Sequence, residues 1–187
     1  MTTRKLIRTG GTAILCLALS GIAYAALKVD TAKSSVSAVS KQMGVPVTGK
    51  FKKFDAQIDF NAAKPEASKA NVDIDIASFD LGSAEFNSEV KKKEWFNTAQ
   101  FPKASFVSTG IKPAAGGKYD VTGTLSIKGK TANVTFPLTV KKEGANQVFE
   151  GDLPIKRLTY NIGEGEWKDT GMVADEVVIK FHVVTAQ

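Results

Sequence analysis

The chain has 187 residues, one histidine, one cysteine and a formal charge of +6 from 25 basic and 19 acidic side chains. One histidine and one thiol leave little for a metal centre, and no nucleophile elbow, P-loop or dinucleotide fingerprint is present. The mild basic excess does not point to nucleic acid as a partner, although it suits loose contact with anionic head groups.

The first 25 residues read as a cleaved secretory signal peptide. Arg4, Lys5 and Arg8 form the positive start, Ala13 to Leu19 a short apolar run, and Ala23-Tyr24-Ala25 the cleavage site. The apolar run is too short to span a bilayer. Cys16 lies inside this leader, so the mature chain enters an oxidising compartment without thiols and depends on its core for stability. Loss of the leader's three cations, with no acidic residue among them, lowers the charge to +3. Residues 26–187 are expected to form a single domain, and periplasmic export is the expected address.

Beyond the leader, apolar residues recur mainly with period two, the signature of strands that have one apolar face. Leu27 and Val29 begin an extended segment, and Val36 and Val39 follow in a serine-rich run. Met43 to Val47 reads as a turn and restart. The apolar parity changes between Phe51 and the series Phe54, Ala56, Ile58, Phe60, which predicts a bulge near Lys52-Lys53 that bends the strand. After a loop at Asn61 to Ser68, Val72, Ile74 and Ile76 alternate with Asp73 and Asp75.

The stretch from Phe79 to Pro102 breaks the alternation. Asn87 as N-cap, Glu89, and Lys91 to Lys93 predict one short helix over roughly Ser88 to Phe96, a lid whose contacts come from Phe86, Val90, Trp95 and Phe96. Lys103 to Ile111 is the next strand, with Ala104, Phe106 and Ser108 on one face, and Pro113 to Gly117 is a turn. Tyr119, Val121, Leu125 and Ile127 then share one parity, as do Val134, Phe136, Leu138 and Val140. Lys128-Gly129 between them predicts a tight antiparallel hairpin. Pro137 cannot donate to a ladder, so it marks a bulge or an edge where the sheet is not fully closed. A charged turn at Lys141 to Gln147 leads to Phe149, Gly151, Leu153 and Ile155. A glycine-rich loop, Asn161 to Gly171, carries Trp167 before the last strand, Val177 to Val183. The expected fold class is all-β, an antiparallel barrel of about eight strands with one short helix over an end.

Catalytic candidates are few. His182 falls on the outer parity with Lys180, and Asp73 and Asp75, with Asp59, read as a solvated face. Lys91 to Lys93 likewise read as a solvated charge run. Arg157 sits where a strand enters the glycine loop; it either binds a carbonyl or anionic end of a ligand or ties the loop down. The 11 phenylalanines fall largely on the inward parity, where they either fill a core or line an apolar tunnel. Small inward residues at Ala56, Ala104, Gly123 and Gly151 lean toward a tunnel.

Several segments resemble the YceI-like family in order and spacing. These are Val47-Thr48-Gly49-Lys50-Phe51, Ile58-Asp59-Phe60, Trp95-Phe96, and Phe101-Pro102-Lys103-Ala104-Ser105-Phe106. Val121 to Gly129, Phe136-Pro137-Leu138, Ile155-Lys156-Arg157, Ile162-Gly163 and Trp167 continue the series. The resemblance implies a lipocalin-like antiparallel barrel that holds a polyisoprenoid or similar long-tailed lipid in an apolar tunnel, with no catalytic triad. Arg157 matches the family's arginine-containing segment. Many members carry histidines near the first strand, before the first glycine turn and at the start of the helix; here those places read Ala32-Lys33-Ser34, Lys41-Gln42-Met43-Gly44 and Phe86-Asn87-Ser88-Glu89-Val90. Any role of those histidines does not transfer.

The expected function is therefore a periplasmic carrier of an isoprenoid lipid, such as a polyprenyl or quinone-type tail. The expected lining is Val72, Ile74, Ile76, Phe106, Val121, Leu125, Ile127, Phe136, Leu138 and Phe181, with Phe86 and Trp95 closing one end and Arg157 nearby. No metal and no cofactor beyond the bound lipid are expected. Two other readings stay open: an enzyme acting on an apolar, lipid-like substrate through His182 or Asp73 and Asp75, and a structural or stress-related protein with a filled core.

Overall fold

The computed structural model describes residues 27–186; the signal peptide expected over residues 1–25 lies outside them. In chain order the strands are β1 (Lys28–Val29), β2 (Ser35–Gln42), β3 (Val45–Phe51), β4 (Phe54–Asp59), β5 (Lys69–Asp75) and β6 (Phe79–Asp80). A single α-helix among the described residues, α1 (Ala84–Glu89), follows. Then come β7 (Lys103–Pro113), β8 (Tyr119–Ile127), β9 (Lys130–Glu143), β10 (Asn146–Lys156) and β11 (Glu176–Ala186).

All pairings are antiparallel, in the order β4-β5-β7-β8-β9-β10-β11-β2-β3-β6, with β1 on the side of β11. β3 and β4 are two arms of one strand, broken at Lys52–Lys53 where the parity change predicts it. One arm pairs with β2 and the other with β5, so the two ends of the sheet meet and it curls into a barrel. Counted this way, eight strands go round. Leu27 adds a clip at one end: its N–H donates to the Ile58 carbonyl at 2.8 Å while β1 pairs with the end of β11.

Local chemistry explains the turns. Ile127 pairs directly with Lys130, and Lys128 and Gly129 take φ of 49° and 71°. Two consecutive positive φ values make the type I′ turn whose twist matches the strands. A second bend, between Ser108 and Gly110 of β7, is a register shift against β8. It moves the buried series from Ala104 to the parity of Ile111.

Two expectations change. The helix lies at Ala84–Glu89 rather than Ser88 to Phe96, and Ser83, not Asn87, stands at its start. Phe86 and Val90 are four apart and suit one helical face, whereas Val90, Trp95 and Phe96 do not recur at helical spacing. The chain leaves the helix and turns, with the Phe96 N–H reaching the Val90 carbonyl at 3.0 Å. Asn87 instead accepts from the Leu81 N–H at 2.7 Å and donates to Asp80 at 2.8 Å, which pins the helix to β6.

The other change concerns the small inward residues. Gly123 and Gly151 do not leave empty space: a Cβ at either would sit 2.4 and 2.5 Å from the rings of Phe106 and Phe181. The glycines let those rings lie back against the wall.

Pro137 stands where the wall parts. The β9–β10 ladder runs from Glu143 and Asn146 only as far as Leu138 and Gly151. Below it, Asp152 to Lys156 pair with β11 alone, and a 3-10 turn at Arg157–Tyr160 packs beside β9.

Candidate functional site

Inward residues of the barrel enclose a chamber of about 150 Å³. Of its lining residues only Ser105 is polar. Val72, Ile74, Ile76, Phe106, Val121, Leu125, Ile127, Phe136, Leu138 and Phe181 all line it, so the strand parity brings these predicted residues together. Aromatic rings organise the space. Phe136 packs edge-on between Phe106 and Phe181, each 5.5 Å away. Phe60, with Tyr119 at 5.1 Å and Phe149 at 5.5 Å, forms the floor beside the Leu27 clip.

A second chamber of about 460 Å³ opens above the first. The β2–β3 hairpin contributes Ala38, Ser40, Gln42, Val47 and Gly49; the lid contributes Leu81, Glu85, Phe86, Glu89 and Val90. Trp95, Arg157, Ile162, Trp167, Val173 and Val177 add to the wall. The two chambers share Phe51, Phe96, Ile127 and Ile179, which stand between them at the neck of the barrel. Phe79 packs between Phe51 at 4.7 Å, tilted, and Phe96 at 5.4 Å, edge-on, fixing two of the neck residues. Phe86 and Trp95, predicted to close one end, do line the mouth, although Phe86 is 55% exposed. Phe51, Phe60, Phe96, Phe149, Leu153 and Ile179 were not among the predicted lining. Phe60, Phe149, Leu153 and Ile179 lie on series whose inward parity is readable, Phe51 sits at the parity change, and Phe96 depends on the turn after the helix.

Arg157 is 2% exposed and spends its guanidinium on backbone carbonyls. Its Nε donates to Ala174, one terminal nitrogen to Ile162 and Gly163, and the other to Trp167 and Val173, at 2.6 to 3.2 Å. Of the two roles read from the sequence, this geometry displays the tie. The ring of Trp95 lies 5.9 Å from its central carbon. Burial pulls the guanidinium below its usual pKa, and Asp175 opposes that shift.

Lys128 does the same work from the hairpin turn, a role the sequence reading missed. It is 8% exposed, and its ammonium donates to the Lys93 carbonyl at 2.8 Å, the Asn161 carbonyl at 2.6 Å and Glu164 at 2.9 Å. The Lys128 hydrogen bond holds the Glu164 carboxyl below the usual range. The Gly163 and Glu164 N–H groups both donate to the Glu94 carbonyl, at 2.9 and 2.8 Å. Thus the lid turn, the hairpin turn and the glycine loop are stitched into one rim. One donor in that rim is unused: Trp95 Nε1 is buried and has no hydrogen-bond partner.

The catalytic candidates line neither chamber. His182 contacts Glu150 at 2.9 Å across β10 and β11, and Glu150 also holds Lys141 at 2.7 Å. Those two partners keep the Glu150 carboxyl below its usual pKa. Asp73 is exposed, and Asp75 accepts the Ala77 N–H at 3.0 Å.

Comparison with known proteins agrees with this architecture. A UPF0312 protein of Azotobacter vinelandii is 36% identical over 135 residues, which is 69% of this chain and 68% of that one. Against the UPF0312 proteins of Pseudomonas, matches at 39% identity span about half of either length (52% and 51%). The crystal structure of BcnA from Burkholderia cenocepacia is 58% identical, with a TM-score of 0.82, and the match covers 84% of this chain and 99% of that one. A polyisoprenoid binding domain from Saccharophagus degradans shares the fold at 19% identity, with a TM-score of 0.68 over 87% of this chain and 98% of that one. A family model described as a YceI-like domain matches residues 27–185, and the chain belongs to that family.

Proposed function

We propose that this protein is a periplasmic carrier that binds a long-chain isoprenoid lipid, a polyprenyl or quinone-type tail, in the barrel. The observation that carries this reading is the pair of adjoining chambers, the inner one apolar but for Ser105. A neighbour of the same fold is named for polyisoprenoid binding, which supports it. The driving force is desolvation: each methylene moved from water into the chamber contributes about 0.8 kcal/mol, so several isoprene units bind tightly without a charged anchor. Trp95 Nε1 offers a donor to an oxygen at the polar end, because a buried N–H gains most from a partner where water is absent. We read the protein as a binder rather than an enzyme, since His182, Asp73 and Asp75 lie outside both chambers. Export through the signal peptide supplies the address, and transient contact with a membrane surface supplies the lipid.

Organic extraction of protein purified from its native host, followed by mass spectrometry, tests the central claim. An isoprenoid in the extract is expected. Protein that carries no lipid and takes up none of a series of added polyprenols and quinones refutes it. Fractionation of the same cells should give a periplasmic species whose first residue is Ala26; a cytoplasmic, full-length species refutes the address.

A further inference from the structure

Five large apolar residues stand out as exposed among the described residues, and four of them surround the mouth. Met43 (79% exposed) and Val45 (62%) form the tip of the β2–β3 hairpin, and Phe86 (55%) projects from the lid. Met172 (44%) lies beside the tip, its carbonyl accepting the Met43 N–H at 2.8 Å. Folding gains nothing from leaving such side chains in water, and a clustered apolar rim marks a surface that meets something. The rim is continuous with the mouth chamber, because Gln42, Val47, Phe86 and Val173 line its wall.

The hairpin that carries the tip is also one-signed. From Thr31 to Phe54 the chain has Lys33, Lys41, Lys50, Lys52 and Lys53 and no acidic residue. Lys33 and Lys52 are paired with Asp30 and Asp80, while Lys41, Lys50 and Lys53 have no ion pair among the described residues. Lys41 is two residues from Met43 and exposed, on the opposite parity from the chamber wall. Glu85 and Glu89 lie on the lid, with Glu89 neutralised by Lys92. Apolar side chains at a tip with an unpaired lysine, Lys41, just behind it form the pattern of a group that enters the interfacial layer of a bilayer whose head groups are anionic.

We propose that the mouth rim docks on an anionic lipid bilayer, with Met43, Val45, Phe86 and Met172 entering the interface and Lys41 facing the lipid phosphates. Docking there sets the opening of the chambers against the membrane. It does not depend on which lipid the chambers hold.

The test is co-sedimentation with vesicles, using protein recovered after expression of the whole chain, its N-terminus checked by mass spectrometry. Vesicles of equal phosphatidylglycerol and phosphatidylcholine should retain it, and vesicles of phosphatidylcholine alone should retain it less. Lys41→Gln should weaken binding to the anionic vesicles about fivefold. Met43→Asn with Val45→Thr, replacements that keep the turn and strand conformations, should weaken it about tenfold. Val107→Ser, at the remaining exposed apolar residue (48%) on the outer wall, is the control and should change nothing. Equal binding to neutral vesicles, binding to neither, rim variants that bind like the parent, or a Val107→Ser loss as large as theirs each overturn the proposal.

Discussion

Two buried cations hold the mouth in shape, and they do so chiefly through backbone oxygens. Arg157 serves five carbonyls, and Lys128 serves two carbonyls and Glu164. Arg157→Met should leave those carbonyls buried and unpaired, at about 3–5 kcal/mol in urea unfolding, and Arg157→Lys should recover little because an ammonium cannot reproduce the fork. Glu164 gives a pH signature. Its folded pKa lies below the usual 4.5, so its contribution is full above that value and fades as pH falls through the depressed one. Protection factors of the amides around Asn161 to Glu164, corrected for intrinsic exchange, should therefore fall in acid, and Lys128→Met should flatten that dependence. The loop tie at Arg157 was readable as one of two roles, since an arginine between a strand and a glycine loop has few other uses. The role of Lys128 was not: a turn residue's side chain takes its direction from the loop that meets it, here 33 residues further along the chain.

At the level of strands and turns, legibility followed how local the cause was. The Lys128-Gly129 turn and the bend at Lys52–Lys53 rest on neighbouring residues, and both are where the pattern puts them. The β7 shift at Ser108/Gly110 is set by its pairing with β8, and no residue spacing announced it. The helix was misplaced because a six-residue helix has little intrinsic stability, and its ends are decided by contacts such as Asn87 to Asp80. Close approach of rings to glycine is another tertiary cause. A Cβ on Gly49 would lie 2.1 Å from the Phe79 ring, which itself braces Phe51 and Phe96 at the neck. Gly49→Ala should cost about 1–3 kcal/mol in equilibrium unfolding, and Phe79→Leu in the same chain should return part of it. Additive losses would show that the ring contact is not the cause.

For the molecule as a whole, parity gives the direction of every inward side chain but not the volume between them. All ten predicted barrel-lining residues face one chamber, yet the sequence could not separate a filled core from a lumen. That difference depends on where rings such as Phe106 and Phe181 settle, hence on Gly123 and Gly151. An occupied lumen has a thermodynamic consequence. A ligand at a hundredfold above its dissociation constant adds about 2.7 kcal/mol to stability. Protein stripped of lipid by solvent should melt below the native preparation, and re-addition of the extracted lipid should restore the difference; identical melting curves would mean that nothing bound contributes.

The parting of β9 from β10 below Leu138 leaves part of the barrel's circumference without a ladder. A ring sealed by ladders all round has a fixed circumference, set by its strand count and stagger. Here part of the seam is closed by a folded loop strapped down by Arg157 and Lys128, so circumference there is governed by side-chain bonds rather than by a ladder. Spreading of such a seam would break no strand pair. Backbone amides of β9 between Lys130 and Pro137 that face the seam should then exchange with solvent before those bonded to β8, and should slow when the lumen is filled.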